Sequence, residues 1–239
     1  MHVDRAQAAR YQAATPYLAG LFVVALLAFW PTYLSLSSSA SSAYTHLHAM
    51  TAALWMLVLV VQPVLIKTRR MALHRAIGKA SYVLAPLMIV SILLLANHRI
   101  RIAPVDAYTI QTYILYLQLS LAALFAGLYT LAVWFRRNTA FHARLMVCTA
   151  LTLVDPIVIR LMFWVQPSPT WNYQWATFGL TDLALLGMIW LDRRYPPGRS
   201  LLLWVLAALV VAQLPALFGL TDGPAWQSFA RWFASVPLT

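Results

Sequence analysis

The sequence predicts an all-α, polytopic transmembrane bundle of seven helices, a single integral membrane domain over residues 1–239. Three observations carry that expectation. Apolar residues make up 62% of the chain and charged residues 10%, where a soluble domain averages roughly a quarter charged. Seven largely apolar runs are each long enough to cross about 30 Å of hydrocarbon at about 1.5 Å per residue. Lys and Arg gather in the turns on one side of those runs, the pattern that holds loops against anionic head groups.

The elements follow in order. Residues 1–16 are polar, carry Arg5 and Arg10, and precede a first apolar run at 17–36. The small residues at 38–43 would suit signal cleavage, but a signal's apolar region usually spans about 7–15 residues. This run is longer and reads as a retained helix. Further runs occupy 47–66, 76–97, 109–135, 143–165, 171–191 and 200–220. Asp222-Gly223-Pro224 then marks a helix start, and Trp226, Phe229, Trp232 and Phe233 recur at helical spacing. This short segment is expected to lie in the outer interface, where indole rings are favoured.

With the N-terminus cytoplasmic, Arg5, Arg10, Lys67, Arg69, Arg70, Arg75, Lys79, Arg136, Arg137, Arg144, Arg193, Arg194 and Arg199 fall inside. Arg99, Arg101 and Arg231 fall outside, and Arg160 lies within a span. Thirteen against three predicts seven helices with the C-terminus outside. An even helix count would put an arginine-rich loop on the wrong side. The net charge of +11 is therefore topogenic, and nucleic-acid binding is not expected. Cys148 is the sole cysteine, which excludes intrachain disulfides and thiolate clusters and leaves it as a small core residue.

Depth sorts the candidate functional side chains. His46, His48 and His98 fall at the outer ends of the second and third runs, and His74 and His142 at the inner ends of the third and fifth. Neutral imidazoles so placed are ligands for haem iron or a divalent metal, or they contact water and lipid phosphate; both readings stand. His46 and His48 would share a metal only in an extended segment, since on a helix they diverge by about 200°. Basic turns with a histidine, Arg69-Arg70…His74 and Arg136-Arg137…His142, hint at two similar hairpins forming a four-helix core.

A deeper layer holds Asp155 and Asp182, ten and eleven residues below the outer ends of their runs and hence both about 15–17 Å down. An intramembrane carboxylate costs about 2.5–3.5 kcal/mol on insertion scales, so each must face the interior and find a partner. Arg160 reaches back toward Asp155 only if Pro156 redirects the helix, because their Cα directions differ by about 140°. The cluster reads either as a proton-sharing, substrate-polarising site or as a structural ion pair. His48, Trp55 and Gln62 recur every seven residues on one face, as do Gln111 and Gln118, and such glutamines commonly hydrogen-bond between helices. HExxH, GxSxG, Walker and dinucleotide glycine patterns are missing from the sequence, as is a lysine deep in the last run of the kind that binds retinal.

The run HLHAMTAALWMLVLVVQPVLIKTRRMALHRAIG, with FHARLMVCTALTLVDPIVIR and LTDLALLGMIWLDRR, resembles a family of uncharacterised bacterial multi-pass membrane proteins, which implies an inner-membrane location. Histidines at both ends of a four-helix core more loosely resemble transmembrane b-type di-haem cytochromes. That resemblance implies an outer haem b between His48 and His98 and an inner one between His74 and His142, with Arg75, Arg137 or Arg144 neutralising propionates. In this sequence the fourth run has no histidine. Three functions are thus expected in competition. The first is haem- or metal-based electron transfer. The second is a membrane enzyme or proton-coupled transporter handling a quinone, a lipid or another small substrate at Asp155, Asp182 and Arg160. The third is an accessory subunit of a larger membrane complex.

Overall fold

The computed structural model describes residues 14–35, 41–165 and 173–239. Arg5, Arg10, the small residues at 38–40 and the expected start of the sixth run at Trp171 lie outside the described residues. Among those described there are eight α-helices and no strand: α1 Thr15–Phe29, continued by a π-helical turn Trp30–Leu34, α2 Ala43–Lys67, α3 Met71–Arg101, α4 Tyr108–Trp134, α5 Thr139–Val165, α6 Gln174–Leu191, α7 Pro196–Leu217 and α8 Pro224–Ser235. Helix starts follow local chemistry. Pro falls in the first turn of α1, α7 and α8, where its missing N–H is no loss. Ser42 accepts from the Thr45 N–H at 3.3 Å to cap α2, and Asn138 does the same for Phe141 at 3.1 Å ahead of α5. Gly219 takes a left-handed φ of 66° just past α7, the conformation that ends helices and suits glycine.

Six helices are long and apolar enough to cross a membrane: α1 with its π-helical turn, α2, α3, α4 with the short 3-10 turn before it, α5 and α7. The chain is a transmembrane helix bundle. Helix α6 is the exception among the seven expected spans. It begins at Gln174, has 18 residues, and carries Gln174, Thr177, Thr181 and Asp182, whose polarity lowers its mean hydropathy. The first three of these are buried.

Helices α2 and α3 pair across the turn 68–70, α4 and α5 across 135–138, and α6 and α7 across 192–195. Helix α1 closes a ring by lying against both α2 and α5, and α4–α7 form a second group that shares α4 and α5 with the ring. The expected four-helix core of α2–α5 is present, with α2 touching α5. Helix α5 is the hub, touching α1, α2, α4, α6 and α7. Its small residues Cys148, Thr149, Ala150 and Thr152 are all buried and let neighbouring backbones approach closely. Trp55 of α2 is fully buried, donates to Thr149 Oγ1 at 3.2 Å, and meets Phe125 and Tyr129 of α4 edge-on at 4.9 and 5.4 Å.

Helix α8, expected in the outer interface, is docked on the bundle. Its Ala230 and Phe233 pack with Ala96, Ile100 and Leu115 of α3 and α4. Asn97 donates to the Phe233 and Val236 carbonyls at 2.7 and 3.1 Å, and the Trp226 indole donates to the Thr112 carbonyl at 3.0 Å. The aromatic spacing thus serves mainly protein packing, with Trp232 left exposed.

Candidate functional site: a lined cavity within the helix ring

Inside the ring α1–α5, at the end that carries α8, lies a cavity of about 1080 Å³. Its wall is largely apolar. Helix α4 contributes one continuous stripe from Asp106, just before the helix, through Ile110, Ile114, Leu117 and Leu121 to Phe125. Those twenty residues cover roughly 28 Å along the axis. Ile110, 57% exposed, is part of this wall. Met56, Met88 and Ala52 join Phe125 at the deep end, and Asp222 joins Asp106 at the rim.

A polar belt crosses the cavity. Tyr113 of α4 and Arg160 of α5 each stand twenty-one residues from the turn joining their helices, hence at one height. Gln118 and Asp155 each stand sixteen from it, about 7–8 Å deeper. His48, Tyr113, Gln118, Asp155, Arg160 and Gln174 all line the cavity. Asp155 is buried and accepts from the Gln174 amide at 2.5 Å. That amide also reaches Thr177 Oγ1 at 2.9 Å. Arg160 donates to the Pro156 carbonyl at 2.7 Å, and its guanidinium sits 4.3 Å over the Phe29 ring. It lies within electrostatic reach of His48 and Asp155, but the ion pair between Arg144 and Asp192 is the one found among the described residues. The Tyr113 hydroxyl and Gln118 Oε1 are buried with no hydrogen-bond partner, an uncommon state for polar atoms.

His48 Nδ1 is hydrogen-bonded to Ser91 Oγ at 3.1 Å, and Ser91 Oγ also meets the Met88 carbonyl at 2.7 Å and Thr51 Oγ1 at 2.9 Å. With Nδ1 so engaged, Nε2 is the ring nitrogen left for a ligand. His142 Nδ1 donates to the Ala132 carbonyl at 2.8 Å.

The structure brings His48, Asp155 and Arg160 to one cavity and leaves other expected partners elsewhere. Asp155 and Asp182 are not level. Gln174 touches Asp155, and Asp182 lies eight residues, about 12 Å, farther along α6. There it accepts from Gln213 of α7 at 2.9 Å. The equal depth expected from the sequence fails because α6 starts deep in the bundle, level with the middle of α5. His98 is seven residues beyond Ser91 on α3, about two turns from the His48 contact, and lies 5.0 Å from the Tyr44 ring. His46 bonds to the Tyr33 hydroxyl at 2.8 Å. His74 and His142 lie within electrostatic reach of each other at the opposite end. There His74 Nδ1 and Gln62 Oε1 are buried and unpartnered, while the Gln62 amide donates to the His74 carbonyl at 3.3 Å. Among the described residues no group of three or more His, Cys, Asp or Glu side chains converges as a metal-binding set.

Arg144 corrects a further expectation. It is fully buried and donates to Asp192 through Nε at 2.5 Å and Nη2 at 2.8 Å. Nη1 donates to the Ala140 carbonyl at 2.8 Å, and Tyr195 packs 4.7 Å from the guanidinium. This cation ties α5 to the end of α6 and is not disposed toward a propionate. Sequence reasoning also passed over Tyr113 and Gln174. Tyr113 lay on the stripe 106–125 whose four-residue spacing marks one helix face, and Gln174 lay inside the expected run 171–191 and is the first residue of the helix.

Comparisons with protein-family models, curated proteins and solved structures found no match.

Proposed function

We propose that this protein is a multi-pass inner-membrane protein that binds an elongated, largely apolar molecule within the helix ring and exchanges a proton with its polar end. The observation that carries this reading is the cavity of about 1080 Å³ whose belt includes two buried, unpartnered polar atoms and a cation that forms no ion pair among the described residues. Ligand sites in proteins share this make-up, an apolar chamber with a few convergent polar groups. His48 Nε2 and the Asp155 carboxyl are the groups that take up or release the proton. Arg160 holds the polar end, and the Ile110–Leu121 stripe holds the hydrocarbon. Asp182, outside the cavity, supports α6 against α7. Quinones and lipids are the molecules of this shape that a bilayer supplies.

In this reading α6 is the seventh span, enclosed by α5 and α7. The basic turns at Lys67–Arg70, Arg136–Arg137 and Arg193–Arg194 face the cytoplasm, and the cavity opens toward the outer face. Placing a thiol toward the deep end of the cavity tests it. Ala122→Cys in a Cys148→Ala background is expected to react with methyl methanethiosulfonate, and dodecanol is expected to slow that reaction. A thiol that reacts at the same rate with and without dodecanol overturns the reading.

The Nδ1 hydrogen bonds of His48 and His142 favour a second reading. A backbone or hydroxyl acceptor on Nδ1 is the usual support for a histidine that ligates through Nε2. Haem b or a divalent metal at His48, with electron transfer as the function, would place a Soret band or stoichiometric metal in the purified protein and remove it in His48→Ala.

A further inference from the structure

We infer that the molecule held in the cavity carries an anionic oxygen-rich head, a carboxylate or a phosphate monoester, which is bound between Arg160 and the Tyr113 hydroxyl. This inference rests on the ligand-binding reading above and names the chemistry of its ligand.

Three observations converge. Arg160 lines the cavity, and its single side-chain hydrogen bond goes to the Pro156 carbonyl, with Phe29 against its face. Among the described residues these contacts leave Nε and Nη2 of the half-buried guanidinium without an acceptor, and a cation facing an apolar chamber is stabilised when an anion joins it. Tyr113 stands at the same height on the neighbouring helix and also lines the cavity, and its hydroxyl is buried with no partner. A planar guanidinium and a phenol at one level make a pair of donors suited to the two oxygens of an oxyacid.

The carboxyl group that could have neutralised Arg160 is engaged elsewhere. Asp155, five residues deeper on α5, is oriented by the Gln174 amide at 2.5 Å. Arg99 at the end of α3 adds a second positive charge within reach of Arg160. Asp106 and Asp222 sit at the rim, about seven residues of α4 above Tyr113 in the case of Asp106. They disfavour an anion at the mouth and leave the Arg160 level as the place where it is held. An ammonium head meets donors only at that level, and an alcohol head satisfies them incompletely. The apolar stripe of α4, from Ile110 through Leu117 to Phe125, supplies contact for one hydrocarbon chain.

The test uses the full-length protein in phosphatidylcholine nanodiscs at pH 8 and four probes with the same tail: dodecanoate, dodecyl phosphate, dodecanol and dodecyltrimethylammonium. Affinities are read from the dependence of the melting temperature on probe concentration. At least one anion is expected to bind wild type about tenfold or more tightly than dodecanol, the range for hydrogen bonds to a charged group. Arg160→Gln is expected to bring the anions to parity with dodecanol. Tyr113→Phe removes a hydroxyl that no protein group uses and is expected to narrow the preference severalfold without loss of the fold. Tighter binding of dodecanoate assigns the head to a carboxylate, and tighter binding of dodecyl phosphate assigns it to a phosphate ester. If dodecanol or the ammonium probe binds as tightly as both anions, the anionic head is overturned while the cavity reading stands. An anion preference that persists in both variants also overturns it. If no probe shifts the melting temperature, the cavity reading falls and this inference with it.

Discussion

Gln174, the first residue of α6, donates its side-chain amide to Asp155, the residue that stands ten positions below the end of α5. One hydrogen bond therefore records both where α6 begins and how a carboxyl group is kept in the apolar middle of the bundle. Asp182 lies eight residues, about 12 Å of helix rise, beyond Gln174 on α6 and accepts from Gln213 instead.

Replacing Asp155 by Asn keeps an oxygen for the Gln174 amide and removes the titrating group. The fold is expected to survive, with a melting temperature near wild type, while any proton-coupled turnover is lost. Gln174→Ala is expected to be the more destabilising change, by about 1–3 kcal/mol, because it removes one of the two side chains, Gln174 and Thr177, that hydrogen-bond the buried Asp155 carboxyl. Unfolding of both variants in mild detergent gives the comparison, and the reverse order would contradict it.

The Arg144–Asp192 pair is the strongest tie at the opposite end. Asp192→Ala is expected to cost about 3–5 kcal/mol by leaving a buried guanidinium unpaired. Gly198→Ala acts on the same pair, since an added Cβ would stand 2.5 Å from Arg144 Nε and 2.5 Å from Tyr195 Cδ1. A double-mutant cycle over Arg144→Met and Asp192→Leu is expected to show strong coupling. Independent, additive losses would show that the pair does little.

Ser91→Ala removes the hydroxyl that pairs with His48 Nδ1. Stability is expected to change by no more than about 1 kcal/mol, while the His48 ring shifts toward a mixed tautomer population visible in its nitrogen-15 NMR signals. An unchanged tautomer would mean that Ser91 does not set it.

Asn97 holds the end of α8 by donating to the Phe233 and Val236 carbonyls and accepting from Thr239 Oγ1 at 3.0 Å. Asn97→Leu is expected to loosen α8 and speed tryptic cleavage after Arg231, with the rest of the bundle intact. Cleavage at the wild-type rate would assign the docking of α8 to its apolar face alone.

The bundle was legible because apolar runs and basic turns are additive signals that need no partner. The turns at 68–70 and 135–138 fall where the Arg-rich stretches stand. The heptad spacing of His48, Trp55 and Gln62 does mark one face of α2, since they contact Ser91, the core around Phe125 and the His74 carbonyl in turn. Asp155 and Arg160 were found because ionisable groups in an apolar run are rare and must turn inward. The pairing of carboxylates was not legible, because equal distance from two helix ends gives equal height only if the ends are level, and α6 starts deep. Asp192 was passed over because a carboxylate beside Arg193 and Arg194 looks like a solvated turn, whereas Tyr195 and Gly198 enclose it with Arg144. Tyr113 differs from other interfacial tyrosines only in lacking a partner, which no sequence displays.

Whether the ring interior holds a molecule is measured directly by native mass spectrometry of protein released from its own membranes in mild detergent. Wild type is expected to carry one additional molecule of a few hundred daltons, and Ala122→Trp, which narrows the chamber from α4, is expected to stay folded and to carry less of it. An empty wild-type protein, or the same bound mass in both forms, would contradict the account.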